Sequence, residues 1–206
     1  MVGAFSMETK PVTLEGKYVR LEPLSMAHLS GLCSVGLDPE LWRWTPFVVR
    51  TPEEMQNYLE SALQAQQRGT ALPFTITERS SGSIIGSSRY MNIEKEHQRL
   101  EIGSTWYGRL WQRTPVNTET KYLMLKHVFE QLGCMRVEFK TDSLNERSRN
   151  ALLRIGAQQE GIFRNHMITS SGRVRHTVYF SIINSEWPQV ESRLEEMLQR
   201  PFRPEL

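Results

Sequence analysis

A strand–helix–strand unit at residues 98–140 constrains the fold more than any other feature of the chain. An extended run at 98–107 is followed by an amphipathic helix at about 117–132, which Gly133 ends before a second extended run at 135–140. Two strands joined through a helix are expected to pair in parallel, with a right-handed connection. The other predicted strands follow one another through short turns, which favour antiparallel pairing, so the sequence predicts a mixed sheet.

The remaining strands come before and after this unit. Residues 11–22 alternate around a Glu-Gly turn and predict a hairpin or a bent strand. Extended runs follow at 72–78 and 83–93, and two more at 157–169 and 173–183 are separated by a Ser-Ser-Gly turn. Together with the helices, this order predicts an α+β domain with a mixed central sheet.

The helices are indicated by capping residues and apolar periodicity. Thr51, as N-cap, and Pro52, at the first helical position, open a helix that runs to about Arg68. The 117–132 helix carries an apolar stripe at Leu125, Val128, Phe129 and Leu132. Shorter helices are predicted at 25–36, 146–155 and 186–200.

Composition and charge exclude several classes of protein. The chain has 206 residues, of which 39% are hydrophobic and 23% charged, which suits one soluble domain with a sizeable core. The net charge of +2 provides no bulk field for nucleic acid, no apolar run is long enough to cross a membrane, and the five histidines lack metal-site spacing. MVGAFSMETK lacks the order of a signal peptide, and Cys33 and Cys134 show no pairing pattern. We therefore predict a cytoplasmic protein with no nucleic-acid, membrane or metal partner.

The stretch TDSLNERSRNALLRIGAQQEG at 141–161 raises the question of whether a ligand binds at a helix start. Asn145 is a good N-cap residue, and Gly156 lies where a left-handed C-terminal cap belongs. Capping explains these two residues, but it does not explain why the polar Ser148 shares a face with Leu152 and Ile155. Both interpretations, capping alone and ligand binding, stay open at this point.

A second helix start follows the strand that ends near Tyr107. The loop YGRLWQRTPVNTET at 107–120 offers free amides and the positive end of a helix dipole, which suit a phosphate group. It is not a P-loop, because Gly-Lys-Ser/Thr is missing. From Lys140 to Arg175, seven basic residues stand against three acidic ones. Two helix starts beside a basic stretch favour one elongated, phosphate-bearing ligand.

Taken together, these segments resemble the GCN5-related N-acetyltransferases (GNAT), in the branch that resembles the RimJ/RimL ribosomal-protein acetyltransferases. The resemblance covers about 12–185 and is carried by LEIGSTWY (100–107), WQRTPVNTE (111–119), RVEFKTD (136–142), NERSR (145–149), GA (156–157) and EG (160–161). It implies a single GNAT-like domain over 1–206, with a core at 12–185 and a C-terminal helix and tail at 186–206. In that fold helices flank both faces of a mostly antiparallel sheet. The implied activity is acetyl transfer from acetyl-CoA to a primary amine, such as a peptide or protein N-terminus or a small molecule, by direct attack on the thioester.

The resemblance also assigns residues to coenzyme A. The family's pyrophosphate loop, Gln/Arg-x-x-Gly-x-Gly/Ala, corresponds to 112–117, where Pro115 and Asn117 depart from the two small residues and Pro115 removes one amide donor. The backbone of the preceding strand binds the pantetheine arm, Asn145 faces this arm, and Ser148 lies near the sulfur. The implied cofactor-binding residues are Thr105, Trp106, Tyr107, Gln112, Arg113, Thr114, Val116, Asn117, Thr118, Asn145 and Ser148.

Acetyl transfer needs a base for the amine, donors for the oxyanion and an acid for the thiolate. Many family members use a Tyr as the acid, but here that position is Leu152, so Ser148 is the best substitute. We rank Glu101 above Glu160 as the base, either directly or through a water. Backbone amides near Trp106 are expected to hold the oxyanion.

The acceptor is the least constrained part of the prediction. Trp42, Trp44 and Phe47 fall in the segment that covers the acceptor site in the family, although Trp42 also suits the core. The partner is an amine acceptor, and a homodimer is also considered. The alternative function is a non-catalytic coenzyme A-binding or interaction module, which the missing Tyr and Pro115 favour and which Glu101 and Ser148 oppose.

Overall fold

The computed structural model describes residues 7–201. Residues 1–6 and 202–206, which belong to the N-terminal start and the C-terminal tail considered above, lie outside the described residues. In the described chain, no helix is both long and apolar enough to span a membrane.

Eight strands form the central sheet. They are β1 (Leu14–Glu15), β2 (Val19–Pro23), β3 (Ala71–Glu78), β4 (Ile84–Glu94), β5 (Arg99–Tyr107), β6 (Arg136–Asp142), β7 (Gln158–Ile168) and β8 (Val174–Ile183). Their order across the sheet is β1-β2-β3-β4-β5-β6-β8-β7. Only β5 and β6 pair in parallel among these strands, and the other neighbours are antiparallel. The predicted parallel pair and the predicted mixed sheet are therefore confirmed.

Helices cover both faces of this sheet. They are α1 (Leu29–Gly36), α2 (Pro52–Gln67), α3 (Pro115–Lys126), α4 (Glu146–Arg154) and α5 (Trp187–Gln199). On one face, α1 and α2 bury Leu32 and Leu59 around Trp106. On the other face, α3 and α5 pack together over a core that includes Phe139 and Phe180. The predicted α+β fold with helices on both faces is confirmed.

Several boundaries agree with the local sequence signals that predicted them. Thr51 caps α2, its hydroxyl accepting from the Glu54 amide at 3.2 Å. A bond from the Gly16 amide to the Val19 carbonyl closes a hairpin, which decides between the two interpretations of residues 11–22. Gly156 has φ +98° and ends α4 as a left-handed cap, as predicted.

Two of the boundaries that differ from the sequence prediction lie beside the candidate site. The helix expected at about residue 117 starts at Pro115, because Thr114 is its N-cap and accepts from the Val116 amide at 3.3 Å. The strand predicted at 135–140 extends to Asp142. Asn117 therefore lies inside the first turn of α3.

The end of the parallel pair creates a gap in the sheet. Arg99–Glu101 of β5 pair with Arg136–Glu138 of β6. Beyond these residues β5 continues to Tyr107 and β6 to Asp142, but the two strands no longer pair with each other. We call this gap, between residues 102–107 and 139–142, the fork. Along it, backbone groups of β5 lack a strand partner on the β6 side, so an extended ligand with amide groups can pair with them.

Candidate active site

Lys121 of α3 lies beside the fork on the α3 face of the sheet. Its ammonium donates to the Thr105 hydroxyl at 2.9 Å and is 5.6 Å from the centroid of the Phe139 ring. Only 6% of Lys121 is exposed, and no carboxylate of the described residues forms an ion pair with it. Burial lowers the pKa of Lys121 from 10.5 to about 7. The fork therefore contains a lysine that exchanges a proton near neutral pH.

A bulge in β5 shapes the same edge of the fork. Arg89 of β4 is paired with Gly103, but Ser87 is paired with Trp106, so β5 contains an extra residue here. Ser104 has φ +48° within this bulge. Bulges are common next to active sites, where they redirect side chains and leave backbone groups unpaired.

Glu101 lies where the fork opens, on the face of the sheet opposite to α3 and Lys121. It is 5% exposed, forms an ion pair with Lys140 at 2.8 Å and accepts from the Asn92 amide at 2.7 Å. Burial opposes the charge on Lys140, yet its bond to Glu101 and the charge of that carboxylate raise its pKa. Glu101 and Glu138 form the last pair between β5 and β6, so Glu101 adjoins the opening directly.

Glu160 lies on β7, two strands away from β6 in the sheet. Both of its oxygens accept from the Arg136 guanidinium, and the Ser181 hydroxyl donates to it at 2.8 Å. The hydrogen bond from Arg136 lowers the pKa of Glu160. Arg136 and Arg99 also hold Glu138, at 3.0 and 2.7 Å. These charges line an open groove of about 770 Å³ and largely satisfy one another.

The predicted phosphate-binding loop connects the end of β5 to α3. Gln112 donates to the Tyr107 carbonyl at 3.0 Å, which ties the loop to the strand. The Thr114 hydroxyl donates to the Trp111 carbonyl at 2.7 Å while it caps α3. Arg113 has φ +62° between them. With Pro115 at the first helical position, Val116 is the first residue of α3 that has an amide N–H.

The side chains of several predicted coenzyme A residues are engaged in the protein. Thr118 is buried and accepts from Arg154 at 3.2 Å, and Asn117 accepts from the Tyr107 hydroxyl at 3.4 Å. Tyr107 and Trp106 are themselves buried, and the Trp106 indole is 3.3 Å from the Tyr58 hydroxyl. Trp106 and Tyr107 can therefore offer the fork only their backbone.

Asn145 and Ser148 stand together at the start of α4. Asn145 is the N-cap, and its side-chain oxygen accepts from the Ser148 amide at 3.1 Å. The Asn145 amide nitrogen and the Ser148 hydroxyl form no hydrogen bond with any described residue, and both residues are half-buried. The capping interpretation is therefore correct, and it leaves two polar groups available for a ligand.

The end of α4 lies beside the start of α3, because the Arg154 side chain donates to Thr118 at 3.2 Å. The start of α4 is at the other end of that helix. Nine residues of helix span about 13 Å at about 1.5 Å per residue. An elongated ligand can run from the start of α3, along β5, to the start of α4.

The aromatic loop, residues 41–47, which carries Trp42, Trp44 and Phe47, has a buried part and a partly exposed part. Trp42 is 1% exposed, donates to the Gly36 carbonyl at 2.8 Å and packs on Trp106, which makes it a core residue. Phe47 is half-buried against Trp42. Trp44 is half-buried, with the Arg43 and Arg173 guanidinium groups 5.0 and 5.6 Å from its ring.

The shape of the site fits a nucleotide-linked thioester with an amide-containing arm. The fork offers an unpaired strand edge, the start of α3 offers amides, and α4 offers unpartnered polar groups. A family model described as acetyltransferase (GNAT) domain matches residues 19–158. The chain belongs to the GNAT acetyltransferases.

Relatives of this GNAT chain agree with the assignment. A GCN5-related N-acetyltransferase from Brucella melitensis is 33% identical, with a TM-score of 0.85 over 92% of this chain and 86% of that one. Uncharacterized N-acetyltransferase p20 of Bacillus licheniformis is 24% identical over 85% of this chain and 98% of its own length. Mycobacterium smegmatis RimJ in complex with CoA-disulfide is 20% identical, with a TM-score of 0.80 over 92% and 96% of the two chains, and it shares the fold.

Membership in this family fixes the general chemistry. The GNAT chain is an N-acetyltransferase, and GNAT acetyltransferases use acetyl-CoA and act on an amine acceptor, as predicted from the sequence. Two residues that sequence reasoning missed also lie here, Lys121 and Arg89. Lys121 precedes Leu125 by four positions and Val128 by seven, so the apolar stripe of α3 already contained it.

Proposed function

We propose that this GNAT chain transfers the acetyl group of acetyl-CoA to a primary amine by direct attack of the amine on the thioester. The observation that carries the proposal is the fork, which has an unpaired strand edge, a buried lysine on one face and a buried glutamate on the other. Residues 12–185 are the proposed catalytic core, and the cytoplasm is the proposed compartment, in keeping with the free thiols of Cys33 and Cys134.

The proposed binding residues for coenzyme A follow the length of the site. The backbone of Thr105, Trp106 and Tyr107 pairs with the pantetheine arm as a strand would. The start of α3 receives the pyrophosphate through the helix dipole and the Asn117 amide, and the Val116 amide shares its long, 3.3 Å bond to Thr114 with the phosphate. Thr118 is buried, but its hydroxyl, which accepts from Arg154, keeps its own O–H for the pyrophosphate.

Side chains complete this set. Gln112, Arg113 and Thr114 shape the phosphate loop. The Asn145 amide nitrogen donates to the arm, since its oxygen is already used as the helix cap. The Ser148 hydroxyl faces the sulfur.

Acetyl-CoA supplies an activated acyl group, and the protein supplies proton transfer and orientation. Glu101 takes the proton of the attacking amine, directly or through a water. We prefer it to Glu160, because Glu160 is two strands away from β6 and both of its oxygens accept from Arg136. Backbone amides at the bulge near Trp106 hold the carbonyl oxygen.

Two groups can give a proton to the sulfur, since Leu152 occupies the position of the family's Tyr. One is the Ser148 hydroxyl, which has no partner among the described residues. The other is the Lys121 ammonium, next to Thr105 on the α3 face. Trp44 and Phe47 line the acceptor side, whereas Trp42 supports them from the core.

Initial rates at varied concentrations of acetyl-CoA and amine test the direct mechanism. Intersecting double-reciprocal plots are expected, because both substrates must be bound before acetyl transfer. Parallel plots, together with a stable acetylated protein in intact-mass spectra after incubation with acetyl-CoA alone, would show a covalent acyl-enzyme and contradict direct attack.

A further inference from the structure

Arg89 lies in the middle of β4, and two of the three nitrogens of its guanidinium are buried and unpaired. It is 9% exposed, and its Nε and Nη2 atoms are buried without a hydrogen-bond partner among the described residues. None of the described carboxylates lies within ion-pair distance of it. Its main contact is the Tyr58 ring of α2, whose centroid is 4.7 Å from Cζ.

This arrangement is costly for folding. A buried charge without a partner is strongly disfavoured, and the face of an aromatic ring compensates only part of the loss of hydration. Glu101 on the neighbouring strand is already held by Lys140 and Asn92, and Asp142 across the fork is held by Arg173. The protein itself therefore supplies no anion for Arg89.

The position of Arg89 connects it to the proposed chemistry. It is paired with Gly103 across β4 and β5, and Glu101 is its diagonal neighbour on the same face. Diagonal neighbours in an antiparallel pair are about 7–8 Å apart. A Cβ on Gly103 would come within 2.7 Å of the Met91 sulfur and 3.0 Å of a Glu101 oxygen, so the missing side chain leaves room for both of these groups beside Arg89.

A second buried arginine lies on the same face, across the fork. Arg175 of β8 is 7% exposed, and its Nε atom has no partner among the described residues. Its Nη1 atom is 3.4 Å from the Trp44 carbonyl, so it reaches the partly exposed part of the aromatic loop. The acceptor side of the fork thus has two guanidinium groups with donors to spare.

We propose that Arg89 binds a carboxylate of the acceptor, so that the acetylated amine belongs to an amino acid or to a peptide with an acidic group close to its amine. The inference rests on the proposed acetyl transfer and names the acceptor's chemical class. Arg89 forms charge-assisted hydrogen bonds to the carboxylate, while the amine reaches Glu101 about one residue away. With Glu101 so close, a singly charged carboxylate suits the surface better than a doubly charged phosphate.

Matched acceptor pairs test the proposal. Free amino acids and their C-terminal amides are compared for kcat/KM by release of the coenzyme A thiol, and dipeptides that differ only in Asp or Asn at the second position distinguish peptides from free amino acids. Amidation lowers the pKa of the amine and so raises its reactive neutral fraction. A slower reaction of the amide is therefore not an effect of amine protonation.

For the preferred acceptor, we expect removal of the carboxylate to lower kcat/KM by at least about tenfold in the wild type, as for loss of a charge-assisted bond. Arg89→Met should bring this ratio close to one. Arg89→Lys should keep part of it, because Lys offers a point charge without the planar guanidinium group. The exposed Arg50→Met is the matched control and should keep the full ratio.

A binding readout separates the acceptor site from a structural role. In thermal melts with coenzyme A, the N-acetylated form of the preferred acceptor should protect the wild type more than its amide does, and Arg89→Met should lose this difference. Arg89→Met without ligand should melt at or above the wild-type temperature, because it removes a buried unpaired charge.

Three outcomes overturn the inference. Neutral amines that react as well as their carboxylate-bearing partners would show that the acceptor class is wrong while acetyl transfer stands. Unchanged carboxylate preference in both Arg89 variants would remove Arg89 from the site. A large loss of thermal stability in Arg89→Met and Arg89→Lys alike would make Arg89 structural. If no amine at all is acetylated, the proposed function fails instead.

Discussion

Replacing Lys121 by Met tests whether the fork contains a buried lysine with a lowered pKa. Met has a similar length and no charge, so Lys121→Met keeps the packing against Phe139 and removes the ammonium. Lys121 is protonated below pH 7 in both the folded and the unfolded protein. Between about pH 7 and 10.5 only the unfolded chain keeps the proton, so the wild-type free energy of unfolding should rise with pH in this window.

The magnitude follows from the two pKa values. The difference between 10.5 and about 7 corresponds to about 5 kcal/mol at about 1.4 kcal/mol per pH unit. Below pH 7, Lys121→Met should therefore be more stable than the wild type by several kcal/mol. From pH 7 to pH 9 this advantage should shrink by about 2 kcal/mol, because half of the folded molecules have already lost the proton at pH 7.

Urea unfolding of both proteins at pH 6, 7, 8 and 9 measures this difference, and at a typical slope a change of about 2 kcal/mol moves the midpoint by about 1 M. Lys126→Met is the control on the same helix. Lys126 is half-buried, with 40% of its side chain exposed, and its bond to Glu191 at 2.8 Å raises its pKa, so it stays charged over this range. A wild-type minus Lys121→Met difference that does not depend on pH would refute the lowered pKa and remove Lys121 as a proton donor.

Three further substitutions test the proposed site. Asn145→Asp keeps the cap oxygen that accepts from Ser148 but loses the amide donor. The affinity for acetyl-CoA, measured by calorimetry, should fall about tenfold or more, because an unsatisfied bond costs roughly 1–3 kcal/mol. An unchanged affinity would mean that Asn145 is only a cap. Ser148→Ala should hardly alter stability and should lower kcat by about tenfold to ten-thousandfold. If kcat stays the same when chemistry limits turnover, Lys121 or water is the acid. Trp44→Ala should raise the acceptor KM and leave acetyl-CoA affinity nearly intact, and equal damage to both would assign Trp44 to the core.

Much of the fold was predictable from local signals. Thr51 with Pro52, the Glu-Gly turn in 11–22, and Gly156 each act within a few residues, so the sequence alone indicates their structure. The parallel pair followed from a helix between two strands. The start of α3 was misjudged because Asn117 and Thr118 are themselves good helix-start residues. The correct signal was the Thr114-Pro115 pair, which repeats the Thr51-Pro52 pair that opens α2.

The candidate site was less accessible to sequence reasoning, because its chemistry depends on long-range register. Whether Glu101 or Glu160 adjoins the fork is decided by the pairing of β5 with β6 and of β7 with β8, which residue patterns do not determine. Burial of Lys121 and Arg89 depends in the same way on the helices that cover them. A charged residue on an apolar stripe can also extend its head group to water.

Acetyl transfer itself is the central claim, and the most direct test is a broad acceptor screen with acetyl-CoA. The screen should cover amino acids, peptides, polyamines and aminoglycosides, with thiol release and product mass measured in the same reactions. For at least one primary amine, we expect stoichiometric thiol release together with a product about 42 Da heavier, which is the mass that one acetyl group adds. Glu101→Gln should lose this turnover. Acetyl-CoA that stabilises the protein against heat without any acetylated product across the screen would contradict the claim and indicate a coenzyme A-binding module.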